Sequence, residues 1–240
     1  MTRLAGRVAL VTGGSRGIGQ AAAAALQSEG ARVIRVARSF PAGPSNSQDL
    51  ACDLTDAEAV ERLASQVLDR HGPPAVVVNA AGAFLLRPLG STSWGELQQQ
   101  LAVNLLAPFA VAKAFLPVMA RVGQGSFILL GSVADHTGFP HNAAYAASKY
   151  GLRGLHETLI AEYRGTGVRC TLISPGPTDT TMWDPVDPDR RPGFLPRSSM
   201  LRPGDVADAI VFVATRPEGV HIDWLRLGPT AKRSPADDSG

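Results

Sequence analysis

A tyrosine and a lysine stand four positions apart in the segment Tyr145-Ala-Ala-Ser-Lys149, so on a helix both would lie on one face. Tyrosine exchanges protons poorly at neutral pH because its free pKa is about 10. A neighbouring ammonium would favour the phenolate and make Tyr145 a general acid and base. Ser132, just after an apolar run, could hold a carbonyl or hydroxyl oxygen beside it. The spacing alone is weak evidence for catalysis, since a tyrosine–lysine pair of this kind usually lies on a protein surface.

A glycine-rich segment near the amino terminus could bind phosphate. Glycines permit a tight turn and let a phosphate approach the backbone, and a helix that follows offers unpaired N–H groups. The spacing differs from the G-x-G-x-x-G fingerprint, so the glycines alone are weak evidence for a phosphate site. Their position between a predicted strand and a predicted helix strengthens that interpretation. We therefore predict a binding site for the pyrophosphate of a nicotinamide dinucleotide, over Val8 to Leu26. The turn residues expected to contact it are Gly13, Ser15, Arg16, Gly17, Ile18 and Gly19.

The end of the second predicted strand indicates which dinucleotide is bound. An acidic residue there would bind the ribose 2′-hydroxyl of NAD, but the strand ends Val36-Ala37-Arg38-Ser39. Arg38 could pair with a 2′-phosphate, and Arg16 could reach the same group, because guanidinium offers planar, paired donors. We predict NADP(H), with Arg38 and Ser39 at the phosphate. The alternative is that both arginines are solvated surface charges.

The elements that would position these residues alternate between short apolar strands and longer helix-like segments. Continuous apolar strands are typical of a mostly parallel sheet covered on both faces, so we predict a single-domain, doubly wound (Rossmann) α/β fold. The domain is expected over 1–228, with a substrate lid at about 181–203 and a flexible tail at 229–240. The predicted strands are Val8–Thr12, Arg32–Ala37, Ala75–Asn79, Phe127–Gly131, Val168–Ile173 and Ile222–Leu227. The predicted helices are Gly17–Ser28, Asp56–His71, one or two within Trp94–Ala120, Ala143–Tyr163 and Gly204–Thr215.

Composition limits the possible partners. The formal net charge of +2 gives no argument for a nucleic-acid or membrane surface, and we expect neither partner. We expect no apolar stretch near the ~20 residues that span a bilayer, and no signal peptide. Cys52 and Cys170 are isolated, and the five histidines lack ligand spacing, which predicts no metal site. Free thiols and no export signal predict a cytoplasmic protein.

The chain resembles the classical short-chain dehydrogenase/reductase family from about Leu4 to Leu227. Several motifs at suitable intervals make this resemblance specific. They are Thr12-Gly-Gly-Ser-Arg-Gly-Ile-Gly19, Cys52-Asp53-Leu54, Asn79-Ala-Ala-Gly82, Val103-Asn104, Gly131-Ser132, Tyr145-Ala-Ala-Ser-Lys149 and Pro175-Gly176.

The resemblance implies a catalytic set of Asn104, Ser132, Tyr145 and Lys149. Tyr145 would be the general acid in reduction and the base in oxidation, helped by the positive charge of an oxidised nicotinamide. Lys149 would bind the nicotinamide ribose and lower the pKa of Tyr145. Ser132 would orient the substrate oxygen, and Asn104 would hold a water in a proton relay or simply brace a helix bend.

The resemblance also implies further cofactor contacts. Asp53 and Leu54 would flank the adenine, and the Pro175–Thr178 segment would meet the nicotinamide carboxamide. Many family members have a branched apolar residue at the position of Thr178. We therefore expect the backbone of Thr178, rather than its side chain, to contact the cofactor. The remaining residues expected to line the cofactor are Asn79, Ala80, Gly82, Gly176 and Thr180.

The predicted lid combines apolar and basic residues that could enclose an acyl chain or ring and meet a carboxylate or phosphate. Equally, the apolar groups could pack the lid onto the body while the arginines face water. Its residues are Met182, Trp183, Arg190, Arg191, Phe194, Leu195, Arg197 and Met200, and His141, Asn142, Phe84 and Leu85 could edge the pocket. The carboxy-terminal segment His221–Thr230 is similar to family members that act on small 3-oxo or hydroxy acids.

The sequence leaves three candidate functions. The first is an NADP(H)-dependent carbonyl reductase or alcohol dehydrogenase of a small molecule, with 3-oxoacyl thioesters or small 3-oxo acids as the first substrates. The second is a non-catalytic NADP-binding regulator, which would not need all four catalytic residues. The third, a sugar-nucleotide epimerase, would need a second domain. The family also implies a homotetramer or homodimer formed through Gln98–Ala120 and Ala143–Tyr163.

Overall fold

The computed structural model describes residues 2–40 and 48–230. Most of the loop predicted at Phe40 to Gln48, and residues 231–240 of the predicted tail, lie outside the described residues. The strands are β1 Val8–Thr12, β2 Arg32–Ala37, β3 Asp49–Ala51, β4 Val76–Asn79, β5 Gly125–Leu130, β6 Val168–Pro175 and β7 Trp224–Leu227. The α-helices are α1 Gly17–Ser28, α2 Ala57–His71, α3 Trp94–Leu101, α4 Ala107–Val122, α5 Ala143–Glu162 and α6 Pro203–Ala214.

The seven strands form one sheet in the order β3-β2-β1-β4-β5-β6-β7, and every pairing is parallel. This confirms the predicted doubly wound fold. Every residue of β1 and of β4 is buried, as expected for strands covered on both faces. The chain turns from one half of the sheet to the other between β1 and β4, which is where ligands bind in open α/β sheets.

Two apolar layers cover the sheet. On one face, α2, α4 and α5 pack over a cluster that includes Phe115 and Phe127. On the other face, α1 and α6 pack over a second cluster that includes Leu26 and Ile210. Helix α2 begins one residue later than predicted, because the side chain of Asp56 caps it by accepting hydrogen bonds from two backbone N–H groups.

Two features of the fold were not predicted from the sequence. Strand β3 is a three-residue edge strand that pairs with the end of β2. The segment predicted to hold one or two helices is continuous, but a π-helical turn at Ala102–Leu106 joins α3 to α4. In such a turn the hydrogen bonds span five residues instead of four, and π turns are common at functional sites.

The joined helix Trp94–Val122 corrects one expectation. By length and composition it could cross a membrane, although no such stretch was expected. The helix instead supplies buried side chains to the core, among them Phe115 and Met119, as the core helix of a globular domain does.

The two cysteines are free and buried, and burial raises the pKa of both thiols, that of Cys170 to about 12. Within residues 2–40 and 48–230, no three His, Cys, Asp or Glu side chains are grouped so that they could hold a metal ion.

Candidate active site

The candidate site lies at the carboxyl edge of the sheet, where the ends of β1, β4, β5 and β6 meet the amino-terminal half of α5. Ser132 follows β5 and caps a short 3-10 turn, with its hydroxyl accepting a hydrogen bond from Ala134 N–H at 3.1 Å. Tyr145 and Lys149 lie on one face of α5, as their spacing predicted, and both are buried. The fold thus brings the serine, the tyrosine and the lysine together.

The three side chains interact directly. The Ser132 hydroxyl lies close enough to the Tyr145 phenol to act on it and lower its pKa. Lys149 Nζ lies 5.7 Å from the centroid of the Tyr145 ring and donates a hydrogen bond of 2.8 Å to the carbonyl oxygen of Leu130. An ammonium has three donors, so this bond leaves two for ribose hydroxyls.

The ionisation of the pair differs from expectation. Burial raises the pKa of Tyr145 to about 12, although the hydrogen bond to Ser132 acts to lower it. For the protein chain by itself, the expected lowering of this pKa is therefore wrong, because the desolvation of a buried phenolate outweighs that bond. Burial also lowers the pKa of Lys149 to about 8, since a buried ammonium is desolvated as well.

The glycine turn has the backbone that a phosphate site requires. Gly13 and Gly17 adopt positive φ angles of 67° and 55°. A Cβ on Gly13 would lie 2.7 Å from the backbone nitrogen of Ala81, and a Cβ on Gly19 would overlap the carbonyl group of Gly13. Helix α1 begins at Gly17 with no side-chain cap and no acid in its first turn. The residues present therefore fit the pyrophosphate of a dinucleotide.

A matched pair of substitutions tests this turn. Gly13→Ala should lower the melting temperature and weaken NADPH binding at least about tenfold, because it forces a strained φ and a collision with the Ala81 backbone. Gly95→Ala on α3 is the control, because its Cβ would meet no atom within 4 Å and a helix tolerates alanine. Thermal melting and fluorescence titration with NADPH measure both. Wild-type behaviour of Gly13→Ala would contradict the assignment.

The end of β2 carries the predicted phosphate ligands. Arg38 and Ser39 are exposed immediately after the strand, and Arg16 is exposed in the glycine turn. Asp53 is also exposed. Hydrogen bonds from Thr55 lower its pKa, with a smaller contribution from the charge of Arg38.

Two other residues at this end of the sheet are less available to a ligand. Leu54 is 8% exposed and packs in the core, so it could offer an adenine only an edge. Arg35, which the sequence did not single out, is engaged in a bidentate ion pair with Asp49 of β3.

The end of β4 contains a buried donor without a partner. Asn79 is 3% exposed, and its side-chain Nδ2 has no hydrogen-bond partner among the described residues. Such a donor fits a polar ligand in the cleft. Ala80 touches the glycine turn, because the nearest atoms to a Cβ on Gly13 include the Ala80 carbonyl.

Asn104 lies in the π turn and braces the loop after β4. Its Oδ1 accepts from Ala83 N–H at 2.9 Å, and its Nδ2 lies 2.9 Å from Ala83 O and 3.0 Å from Ser148 Oγ. Gly82 lies against it, since a Cβ there would be 3.4 Å from Asn104 Oδ1. The bracing function is visible in these bonds, whereas a water relay through Asn104 stays a prediction.

The end of β6 leads into the predicted lid. Pro175 ends the strand, and Gly176 N–H donates to Leu227 O at 2.8 Å. The hydroxyl of Thr178 turns inward onto Gly176 O, which agrees with assigning only backbone contacts to Thr178. Thr180 lies beside the glycine turn, 3.3 Å from where a Gly17 Cβ would be.

The lid segment consists of short 3-10 turns held by Arg197. Its guanidinium bonds Asp179 at 2.8 Å, Asp184 at 2.6 Å and the carbonyl oxygen of Thr180 at 3.0 Å. This arginine therefore holds the segment together, and its donors are engaged rather than free for a substrate anion. Arg190 is exposed and lies 3.8 Å from Asp187, and Arg191 stacks on the Phe194 ring at 5.1 Å.

A series of aromatic rings runs from Tyr145 into the predicted lid segment. Phe84 packs edge-on against Tyr145 with centroids 5.0 Å apart, and Trp183 lies 5.0 Å from Phe84. Phe194 follows at 6.5 Å from Trp183. Phe84, which was predicted to edge the pocket, is therefore brought together with Trp183 and Phe194 of the predicted lid. Asn142, also predicted to edge the pocket, is buried three positions before Tyr145.

Comparison with protein families identifies this arrangement. The family model described as short chain dehydrogenase matches residues 7–191, which is most of the chain. The chain belongs to the short-chain dehydrogenase/reductase family. It is accordingly an oxidoreductase with the Rossmann-type fold described above, and the resemblance drawn from the motifs is confirmed.

Individual members of the short-chain dehydrogenase/reductase family are similar over nearly their whole length. A D-threitol dehydrogenase from Mycolicibacterium smegmatis is 33% identical over 89% of this chain and 87% of its own. A 3-oxoacyl-acyl-carrier-protein reductase from Vibrio cholerae is 32% identical, over 91% of this chain and 93% of its own. A metagenomic short-chain oxidoreductase, solved in complex with NADP, is 34% identical, covers 96% of this chain and 100% of its own, and has a TM-score of 0.78.

Sequence reasoning missed one buried group of the site. Asp135 is fully buried beside Ser132 and bonded to the Ser132 backbone N–H at 3.0 Å. The only signal in the sequence was an acid three positions after the serine, a spacing that also predicts a capping box.

Proposed function

We propose that the protein is an NADP(H)-dependent carbonyl reductase or alcohol dehydrogenase. The observation that carries this proposal is the buried Tyr145 side chain beside Ser132, with the Lys149 ammonium 5.7 Å from its ring centroid. When bound, the nicotinamide supplies and accepts hydride, which protein side chains cannot do. The task left to the chain is to orient the substrate and to move one proton.

The proposed division of roles follows from the donors each side chain has free. The Ser132 hydroxyl, which already accepts a bond from Ala134 N–H, orients the substrate oxygen. Tyr145 gives its proton to that oxygen in reduction and takes it back in oxidation. Lys149, anchored on Leu130 O, offers its remaining N–H donors to the nicotinamide ribose. A pKa of about 12 keeps Tyr145 protonated at neutral pH, which suits reduction.

The preference for NADP(H) is supported by charge at the adenosine end of the cleft. Arg16 and Arg38 are exposed on the two segments that flank the expected 2′-phosphate position. No acid follows Ala37, where an NAD-dependent site would bind the 2′-hydroxyl. A similar oxidoreductase has been solved with NADP.

For the substrate we propose 3-oxoacyl thioesters or small 3-oxo acids. The aromatic series of Phe84, Trp183 and Phe194 offers apolar surface next to Tyr145, which suits an acyl chain better than a polyol. The similarity to a 3-oxoacyl reductase supports this class. The similarity to a threitol dehydrogenase makes small sugar alcohols the second class.

Removing one ring of the series distinguishes these substrate classes. Trp183→Ala should lower kcat/KM for a medium-chain 3-oxoacyl thioester about tenfold, mainly through KM, because it removes apolar contact with the chain. The rate with acetoacetate, which is too short to reach the ring, should change little. Trp94→Ala, at a ring 73% exposed on α3, is the control. Equal losses with both substrates would contradict an acyl-chain site.

The direct test is a screen of NADPH oxidation over carbonyl compounds. The panel contains acetoacetyl-coenzyme A, small 3-oxo acids, aldehydes, sugars and cyclic ketones. We expect turnover in the first two groups. Tight binding of NADPH without turnover of any compound would favour the non-catalytic regulator instead.

Assembly and location are further parts of the proposal. Leu106, Phe109 and Tyr150 are large side chains exposed on the helices expected to form a homotetramer or homodimer. Light scattering measures the assembly, and a monomer would contradict it. Two buried free thiols support a cytoplasmic location.

A further inference from the structure

A buried carboxylate without a role in the proposed reaction lies beside the catalytic serine. Asp135 is 0% exposed. Taking a carboxylate out of water is costly unless hydrogen bonds and nearby charges compensate. The groups that compensate Asp135 belong to the candidate site itself.

One oxygen of the carboxylate joins three strands. Asp135 Oδ2 accepts from the backbone N–H of Ser132 at 3.0 Å and from the hydroxyl of Ser174 at 2.6 Å. The Ser174 oxygen in turn accepts from the indole N–H of Trp224 at 2.8 Å. The carboxylate therefore fixes the serine after β5 to the end of β6, directly before Pro175, and through it to β7.

The other oxygen, Oδ1, lies 2.6 Å from Nδ1 of His136. From α5, the groups that interact electrostatically with the carboxylate are Tyr145 and Lys149. The negative charge of Asp135 favours the ammonium of Lys149 and opposes the phenolate of Tyr145.

Two further charged groups, on α5 and β7, are separated from the carboxylate by the ring of Trp224. Arg153 of α5 and Arg226 of β7 both stack on the Trp224 ring, with Cζ 4.5 Å and 4.9 Å from its centroid. The His136 ring also packs on Trp224, with centroids 5.2 Å apart.

We propose that Asp135 is a positioning residue with two effects: it ties Ser132 to the cofactor-facing end of β6, and its negative charge adds to the burial that favours the protonated form of Tyr145, the form that carbonyl reduction needs. This inference rests on the proposed function, because it assigns the proton of reduction to Tyr145. Both effects follow from one side chain. The hydrogen bonds from Ser132 and Ser174 to the carboxylate position the serine, and the charge of the carboxylate acts on Tyr145.

Carbon-13 NMR of protein labelled at the tyrosine Cζ atoms tests the charge effect without a substrate. Tyr145→Phe identifies the signal of Tyr145 among those of the three tyrosines. With saturating NADP⁺ present, Asp135→Asn should lower the pH at which this signal titrates by about one unit, because loss of a nearby negative charge favours the phenolate. Asp135→Ser, a smaller neutral replacement, should shift it in the same direction, and Asp135→Glu should restore most of the wild-type titration.

Two controls separate the charge from the tie. Ser174→Ala weakens the tie but keeps the carboxylate, so kcat for acetoacetyl-coenzyme A should fall while the Tyr145 titration stays in place. Asp69→Asn, at an exposed carboxylate on α2, should change neither.

An unshifted titration in folded Asp135→Asn would overturn the inference. Failure of both neutral variants to fold would also overturn it, since Asp135 would then be a structural residue. A fully active Tyr145→Phe would instead overturn the proposed function, so the two failures are distinguishable.

Discussion

Replacing Tyr145 with Phe should reduce turnover by about 10²–10⁴-fold while NADPH binding stays close to wild type. The phenol is the proposed proton donor, and it is buried beside Ser132. Phenylalanine keeps the ring and its edge-on contact with Phe84, so packing changes little. Steady-state NADPH oxidation with acetoacetyl-coenzyme A and fluorescence titration with NADPH measure the two properties.

Tyr150→Phe is the matched control, because the same hydroxyl is removed one turn away on the same helix from a side chain that is 46% exposed. It should retain wild-type kcat. If Tyr145→Phe were also fully active, the assignment of the general acid would be refuted.

Replacing Arg38 with Leu should weaken NADPH binding about 10- to 100-fold and leave NADH binding nearly unchanged. A hydrogen bond between an arginine and a phosphate is charge-assisted, and its loss costs on the order of 1.5–3 kcal/mol. Only NADPH carries the 2′-phosphate, so the effect should be selective. The Michaelis constants for the two cofactors measure it.

Arg32→Leu serves as the control for charge alone, because Arg32 is exposed at the opposite end of the same strand. Its cofactor preference should equal that of wild type. A clear preference of the wild-type enzyme for NADH would refute the assignment of NADP(H), whatever the variants do.

The strands and helices were predictable from the sequence because burial on both faces gives unbroken apolar runs. β1 and β4 contain such runs, and both are buried strands in the middle of the sheet. The spacing of Tyr145 and Lys149 was sufficient to place both on one helical face.

Features that depend on tertiary partners were not predictable. β3 has three residues and no apolar run, and it is held by pairing with β2 and by the ion pair of Asp49 with Arg35. The π turn depends on Asn104 bonding across to the Ala83 loop, a contact between residues 21 positions apart.

The ionisation of the site also depends on packing. Sequence spacing places an ammonium near Tyr145 and so predicts a lowered pKa. The depth of burial, which raises it to about 12, is a property of the assembled core. Asp135 was missed for a related reason: an acid after a serine suggests a helix cap, whereas its bond to Ser174 joins positions 39 apart.

The order of the strands has a consequence for synthesis on the ribosome. β1 is made first, yet one of its two neighbours, β4, begins only at Val76. At about 5–20 residues per second, one edge of the first strand stays unpaired for several seconds. During that time β1, in which four of five residues are apolar, presents free N–H and C=O groups, which form a template for pairing between nascent chains. A strand that is fully buried in the folded enzyme is thus open to aggregation while the chain is being made.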